Sequence, residues 1–156
     1  MRKFGDIIDA GVLVAILVCC GIYAFDHRAR GPRTPDLHKV AALTNADKQV
    51  VVALSTQCHF CTESVGFYGR MIKAASQKGL PVVLLFRKSE ATRDVDRYVQ
   101  ENGLGYASAI PVDFSNVGID GTPTLIFYRS KADAQLFAGK LSTQDEDRVL
   151  VAIRKL

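Results

Sequence analysis

Histidine and cysteine are scarce in this chain. Of its three histidines, His27 and His38 precede the globular part and only His59 falls within it. Of its four cysteines, Cys19 and Cys20 sit in an early apolar run, leaving Cys58 and Cys61. Four cysteines are too few for a disulfide scaffold. A structural zinc site wants four ligands, and one copy of the globular part offers three at most. Copper or zinc would need ligands beyond Cys58, His59 and Cys61, and no histidine follows His59. Strong charge of one sign is also missing: the formal net charge is +4. No stretch interleaves aromatics with Lys and Arg, so nucleic acid is not an expected partner. Internal repeats and low-complexity tracts are absent, as are the nucleophile motifs of hydrolases. Gly103-x-Gly105 lacks the rest of a G-x-G-x-x-G phosphate loop and reads as a helix stop. Asp94, Asp96 and Arg97 read as an ordinary solvated helix face.

What is present begins with an uncharged run, AGVLVAILVCCGIYAF, over residues 10–25. A membrane span needs roughly 20 mainly apolar residues. With Ile7 and Ile8 added the run is adequate for one, so the expected organisation is a tail over 1–9, a transmembrane anchor over 10–25, a polar tether over 26–47 and a globular domain over 48–156. The rival is a cleaved signal peptide behind Arg2 and Lys3. No small-x-small site follows clearly, and bulky Val18 before Cys19 spoils a lipoprotein box. Cys19 and Cys20 read as small apolar residues of the span. Arg28, Arg30, Arg33 and Lys39 follow the span, so the positive-inside rule alone would keep the domain in the cytoplasm. Long domains, however, often translocate regardless of charge.

In the globular part, QVVVAL (49–54) and LPVVLLF (80–86) read as buried strands. Between them, Val65, Tyr68, Met71, Ile72 and Ala75 recur at helical spacing. Gly66 and Gly69 are places where that helix could bend, and Lys78-Gly79 ends it. Ser89 is placed to cap a helix through Val95, Tyr98 and Val99, closed by Asn102-Gly103. A loop follows. Residues 125–128 and 135–138 then form an antiparallel hairpin, and Ser142-Thr-Gln-Asp145 opens a last helix. The order βαβαββα predicts an α/β fold, with a mixed central sheet and helices on both faces.

Two features carry chemistry. Cys58-His59-Phe60-Cys61 follows the first strand and opens the first helix. Unpaired N–H groups there favour a thiolate, and a charged His59 would favour it further. The spacing lets the two cysteines close a disulfide, with the first sulfur exposed and the second buried. Thr122-Pro123 lies directly before the strand at 125, where a proline is tolerated.

At these two places the chain resembles the thioredoxin superfamily over residues 48–156. With the apolar run, it looks most like the membrane-anchored, extracytoplasmic members of bacteria. The resemblance implies that Cys58 attacks a disulfide and Cys61 resolves the mixed disulfide. It implies a cis Pro123 facing the dithiol, and Thr122 backbone groups that pair with an extended substrate segment. It implies thiol–disulfide exchange on protein substrates without a dissociable cofactor, a membrane redox partner, and a single-pass anchor in the bacterial inner-membrane bilayer with the domain in the periplasm, where protein disulfides persist. There are departures. Gln57 replaces the usual aromatic, His-Phe the usual Gly-Pro or Pro-Pro, and Val52 the buried acid; Glu63 is the nearest acid in sequence. Other readings stay open: metal binding through a dimer's two pairs, a non-catalytic adaptor, and two merely buried cysteines.

Overall fold

A computed structural model describes residues 34–44 and 46–156. The expected tail, the span over 10–25 and the first part of the tether lie outside the described residues, as do Cys19 and Cys20. Among the described residues no helix is long and apolar enough to cross a membrane.

The elements run α1 (Leu37–Ala41), β1 (Gln49–Ala53), α2 (His59–Glu63), α3 (Val65–Ser76), β2 (Val82–Arg87), α4 (Thr92–Glu101), β3 (Ser108–Val112), β4 (Thr124–Ser130), β5 (Asp133–Ala138) and α5 (Thr143–Arg154). The five strands form one sheet in the order β3-β2-β1-β4-β5. Strands β1, β2 and β3 are parallel, while β4 is antiparallel to both β1 and β5. The central strands are buried on both faces, which their uninterrupted Val and Leu runs require. Val52 pairs with Leu84 on one side and Leu125 on the other.

Alternation of side chains divides the core in two. Val50, Val52 and Leu54 face one layer, where Phe67, Tyr68, Met71 and Ile72 of α3 meet Tyr98 of α4 and Val149, Leu150 and Ile153 of α5. Val51, Ala53, Val83 and Leu85 face the other, covered by Val40 and Ala41 of α1 and by Phe114, Val117 and Ile119. The second face is therefore closed by one short helix and a loop. Residues 34–44, expected to be tether, belong to this packing. Asp36 N–H donates to the Val117 carbonyl at 2.9 Å, and the Tyr128 hydroxyl donates to the Leu37 carbonyl at 2.8 Å.

Three local expectations need correction. The stretch expected as a loop after α4 contains strand β3, so the order is αβααβαβββα rather than βαβαββα. Its exposed side chains and Pro111 hid it, yet proline is tolerated in an edge strand. The first long helix is broken at Ser64 rather than bent at a glycine. Ser64 has φ −92° and ψ 1°, and its hydroxyl donates to the Phe60 carbonyl at 2.9 Å. Ser89 caps nothing: α4 starts after Ala91, with no side-chain cap. The Ser142 cap behaves as expected, with its oxygen accepting from Asp145 N–H.

Candidate active site

Strand β1 delivers the chain to its carboxyl end, where residues 55–58 turn into α2. The turn is closed by Cys58 N–H donating to the Ser55 carbonyl at 3.1 Å. Cys58 is the N-cap of α2, with extended dihedrals of φ −86° and ψ 110°. In that position its sulfur accepts from the Cys61 N–H at 3.1 Å. A backbone donor aimed at the sulfur is a local reason for the reduced form to favour a thiolate.

Cys58 and Cys61 form a disulfide, with Cα atoms 5.2 Å apart. Their environments differ. Cys58 is half-buried, whereas Cys61 is 0% exposed and packed in the core with Val52. One sulfur can be reached by a partner and the other only through the first. Val52 is itself fully buried, so the position where the resemblance would look for an acid is sealed by hydrocarbon.

Thr122-Pro123 is a cis peptide. Pro123 is buried and leads into β4, whose neighbour β1 carries the turn before Cys58. The Thr122 carbonyl oxygen lies 3.4 Å from Cys58 Sγ. The loop is held on its far side by Thr124 Oγ1, which donates to the Gly121 carbonyl at 2.8 Å, and by Gly139 N–H, which donates to the Pro123 carbonyl at 2.7 Å.

The rim is polar and charged. His59 is exposed, with Nε2 3.1 Å from Glu63 Oε1. The other Glu63 oxygen takes a hydrogen bond from Lys140 Nζ at 2.8 Å. That bond, foremost, holds the Glu63 carboxyl below its ordinary range, with smaller help from the charges of Lys140 and His59. Phe60, next to His59, is 54% exposed, an unusual placement for a phenylalanine.

The geometry brings together Cys58, Cys61, His59, Thr122 and Pro123. It adds residues that sequence reading passed over. Glu90, in the loop after β2, accepts from Thr56 N–H at 2.9 Å. Lys140 reaches Glu63 from the loop after β5. Both come from distant parts of the chain, and neither belongs to a local motif. For Glu90 the available signal was topological: loops at the carboxyl ends of the neighbouring parallel strands β1 and β2 lie side by side.

No protein-family model matches the sequence, and no curated protein matches it. Solved structures do match. A secreted disulfide oxidoreductase of Mycobacterium tuberculosis, homologous to E. coli DsbE, is 13% identical with a TM-score of 0.57, over 68% of this chain and 81% of that one. A thiol:disulfide interchange protein of the thioredoxin family from Chlorobium tepidum is 18% identical with a TM-score of 0.59, over 73% and 84%. The chain has the thioredoxin-like fold. A secreted thiol-disulfide isomerase from Corynebacterium glutamicum shares it too, at 18% identity and a TM-score of 0.53, over 75% of each chain. Here the head of α2, which carries the two sulfurs, and the cis Thr122-Pro123 loop before β4 meet at one edge of the sheet.

Proposed function

We propose that the protein is a thiol–disulfide oxidoreductase acting on protein thiols and disulfides. The observation that carries this reading is the Cys58–Cys61 disulfide at the head of α2, one sulfur accessible and one enclosed, against the cis Thr122-Pro123 loop. In the reducing direction the Cys58 thiolate attacks one sulfur of a substrate disulfide. A Cys58–substrate disulfide forms, and the first substrate sulfur leaves as a thiolate that takes a proton. Cys61 then gives up its proton and attacks Cys58 Sγ. The intramolecular disulfide forms, and the second substrate thiolate leaves and is protonated. Two electrons have passed to the substrate, one proton has come from Cys61 and one from solvent, and the dithiol is oxidised. The oxidising direction is the reverse. Cys61 N–H stabilises the anion in the first step. Thr122 and Pro123 present an edge along which an extended substrate segment can lie. The chemistry resides in the two sulfurs and calls for no dissociable cofactor.

Reduction of insulin by the pre-reduced protein tests this reading. Cys58→Ser should abolish turnover, and Cys61→Ser should accumulate a mixed disulfide, because the resolving sulfur is gone. Full insulin reduction by the Cys58→Ser variant would defeat the assignment.

The reading extends to location. Residues 10–25 anchor the domain in a bacterial inner membrane, with the dithiol on the periplasmic side and a membrane redox partner exchanging electrons with it. The support is the uncharged run together with a chemistry useful where disulfides persist. Membrane-impermeant maleimide should label Cys58 once the outer membrane is opened. Labelling that also requires breaching the inner membrane would place the domain in the cytoplasm.

A further inference from the structure

Behind the attacking cysteine stands an acid that the exchange steps do not use. Thr56, the second residue of the turn from Ser55 to Cys58, donates its N–H to Glu90 Oε2 at 2.9 Å. The other carboxylate oxygen, Oε1, is closed off from solvent and has no partner among the described residues. Tyr98 of α4, close enough to feel the Glu90 charge, is 8% exposed. The Tyr98 phenol is pushed up by burial first and, to a smaller degree, by the Glu90 charge. Tyr98, Thr56 and Gln57 line one groove of about 280 Å³.

A buried carboxylate oxygen without a hydrogen bond is costly. The neutral amide of glutamine could accept the same N–H at less expense. That expense marks Glu90 as a functional candidate. The charge lies one short turn from the sulfur that must ionise, and from a half-buried position it is incompletely screened. Two anions so placed disfavour each other.

We propose, on the basis of the exchange reaction above, that Glu90 is a positioning residue that holds a negative charge behind the Cys58 turn, weakening the Cys58 thiolate and poising the couple toward reduction of substrates. A less stable thiolate means a less stable reduced form, hence a more reducing couple. On the other side of the balance are the Cys61 N–H, His59 and Lys140. His59 and Lys140 are largely engaged by Glu63. Along α4, Arg97 sits 3.8 Å from Asp94, and Glu101 shares the groove. Lys88 follows β2, two residues before Glu90, and the Tyr68 phenol of α3, near Tyr98, is pushed up further by burial.

Glu90→Gln keeps an oxygen for Thr56 N–H and removes only the charge, so it isolates the effect. In the full chain, reduced and in detergent, thiolate absorbance of this variant should titrate about half a pH unit or more below wild type. Equilibrium with glutathione should shift toward the dithiol state. Glu90→Asp, which keeps the charge, should titrate near wild type even if its stability falls. Coincident titration and equilibrium for wild type and Glu90→Gln would overturn the proposal. So would a Glu90→Asp curve displaced as far as that of Glu90→Gln, which would assign the effect to packing. Failure of wild-type protein to reduce insulin would instead remove the exchange reading itself.

Discussion

At the scale of single residues, the site is a short relay of charges around one sulfur. His59, Glu63 and Lys140 form a line in which Glu63 is shared. Its carboxyl titrates below its unfolded value, with the Lys140 hydrogen bond as the largest cause. These contacts therefore favour the folded chain above the ordinary carboxylate range, and that contribution fades as pH falls through the lowered folded value. Removing the donor should relax the group. In Lys140→Met, the Glu63 carboxyl resonance should titrate at higher pH than in wild type, closer to an ordinary glutamate; an unmoved NMR titration curve would show that Lys140 does not hold it. The same line limits how much His59 can do for the thiolate, because its imidazole already faces a carboxylate.

At the scale of elements, much of the fold was legible and the reasons are specific. β1 and β2 announce themselves as uncharged β-branched runs because both faces are covered. The C-x-x-C after β1 and the Thr-Pro before β4 mark where the sulfurs and the cis peptide lie. What escaped was non-periodic. β3 has four of its five side chains exposed or only half-buried and a proline within it, so neither alternation nor a hydrophobic run reveals it. It is recruited by pairing with β2, with Leu84 opposite Ala109 and Leu85 opposite Ile110. The break between α2 and α3 is decided by one hydroxyl competing for a helix carbonyl, at Ser64, while both nearby glycines remain helical. Glu90 was illegible for a different reason. It is 34 residues from its partner Thr56, and only the assembled sheet brings the two loops together.

At the scale of the whole molecule, the sheet is sealed unequally. Three helices of ten or more residues (α3, α4 and α5) pack on the face that carries Cys61, and the opposite face relies on α1 and residues 113–119. Val40 of α1 is 0% exposed. The Tyr128 hydroxyl, with its phenol pushed up to about 12 by burial and the nearby Asp36 charge, ties α1 down through Leu37. Gly118 helps the junction to close: it has φ +69°, and a Cβ there would meet the Thr34 carbonyl oxygen at 3.0 Å. Val40→Ala should destabilise the fold by about 2 kcal/mol, from lost apolar burial plus a residual cavity. Urea denaturation would measure this, and a variant as stable as wild type would mean that the segment is not part of the cooperative unit.

The ring that the active-site bond closes is small. It spans three steps of sequence, between Cys58 and Cys61, and both ends lie within one turn of the chain. A link so short restrains an unfolded polypeptide far less than one joining distant segments. The five-stranded architecture thus hangs on hydrocarbon and backbone pairing elsewhere, so the bond can open and close through repeated cycles like a latch on a finished building, discharging its electrons while the walls stand.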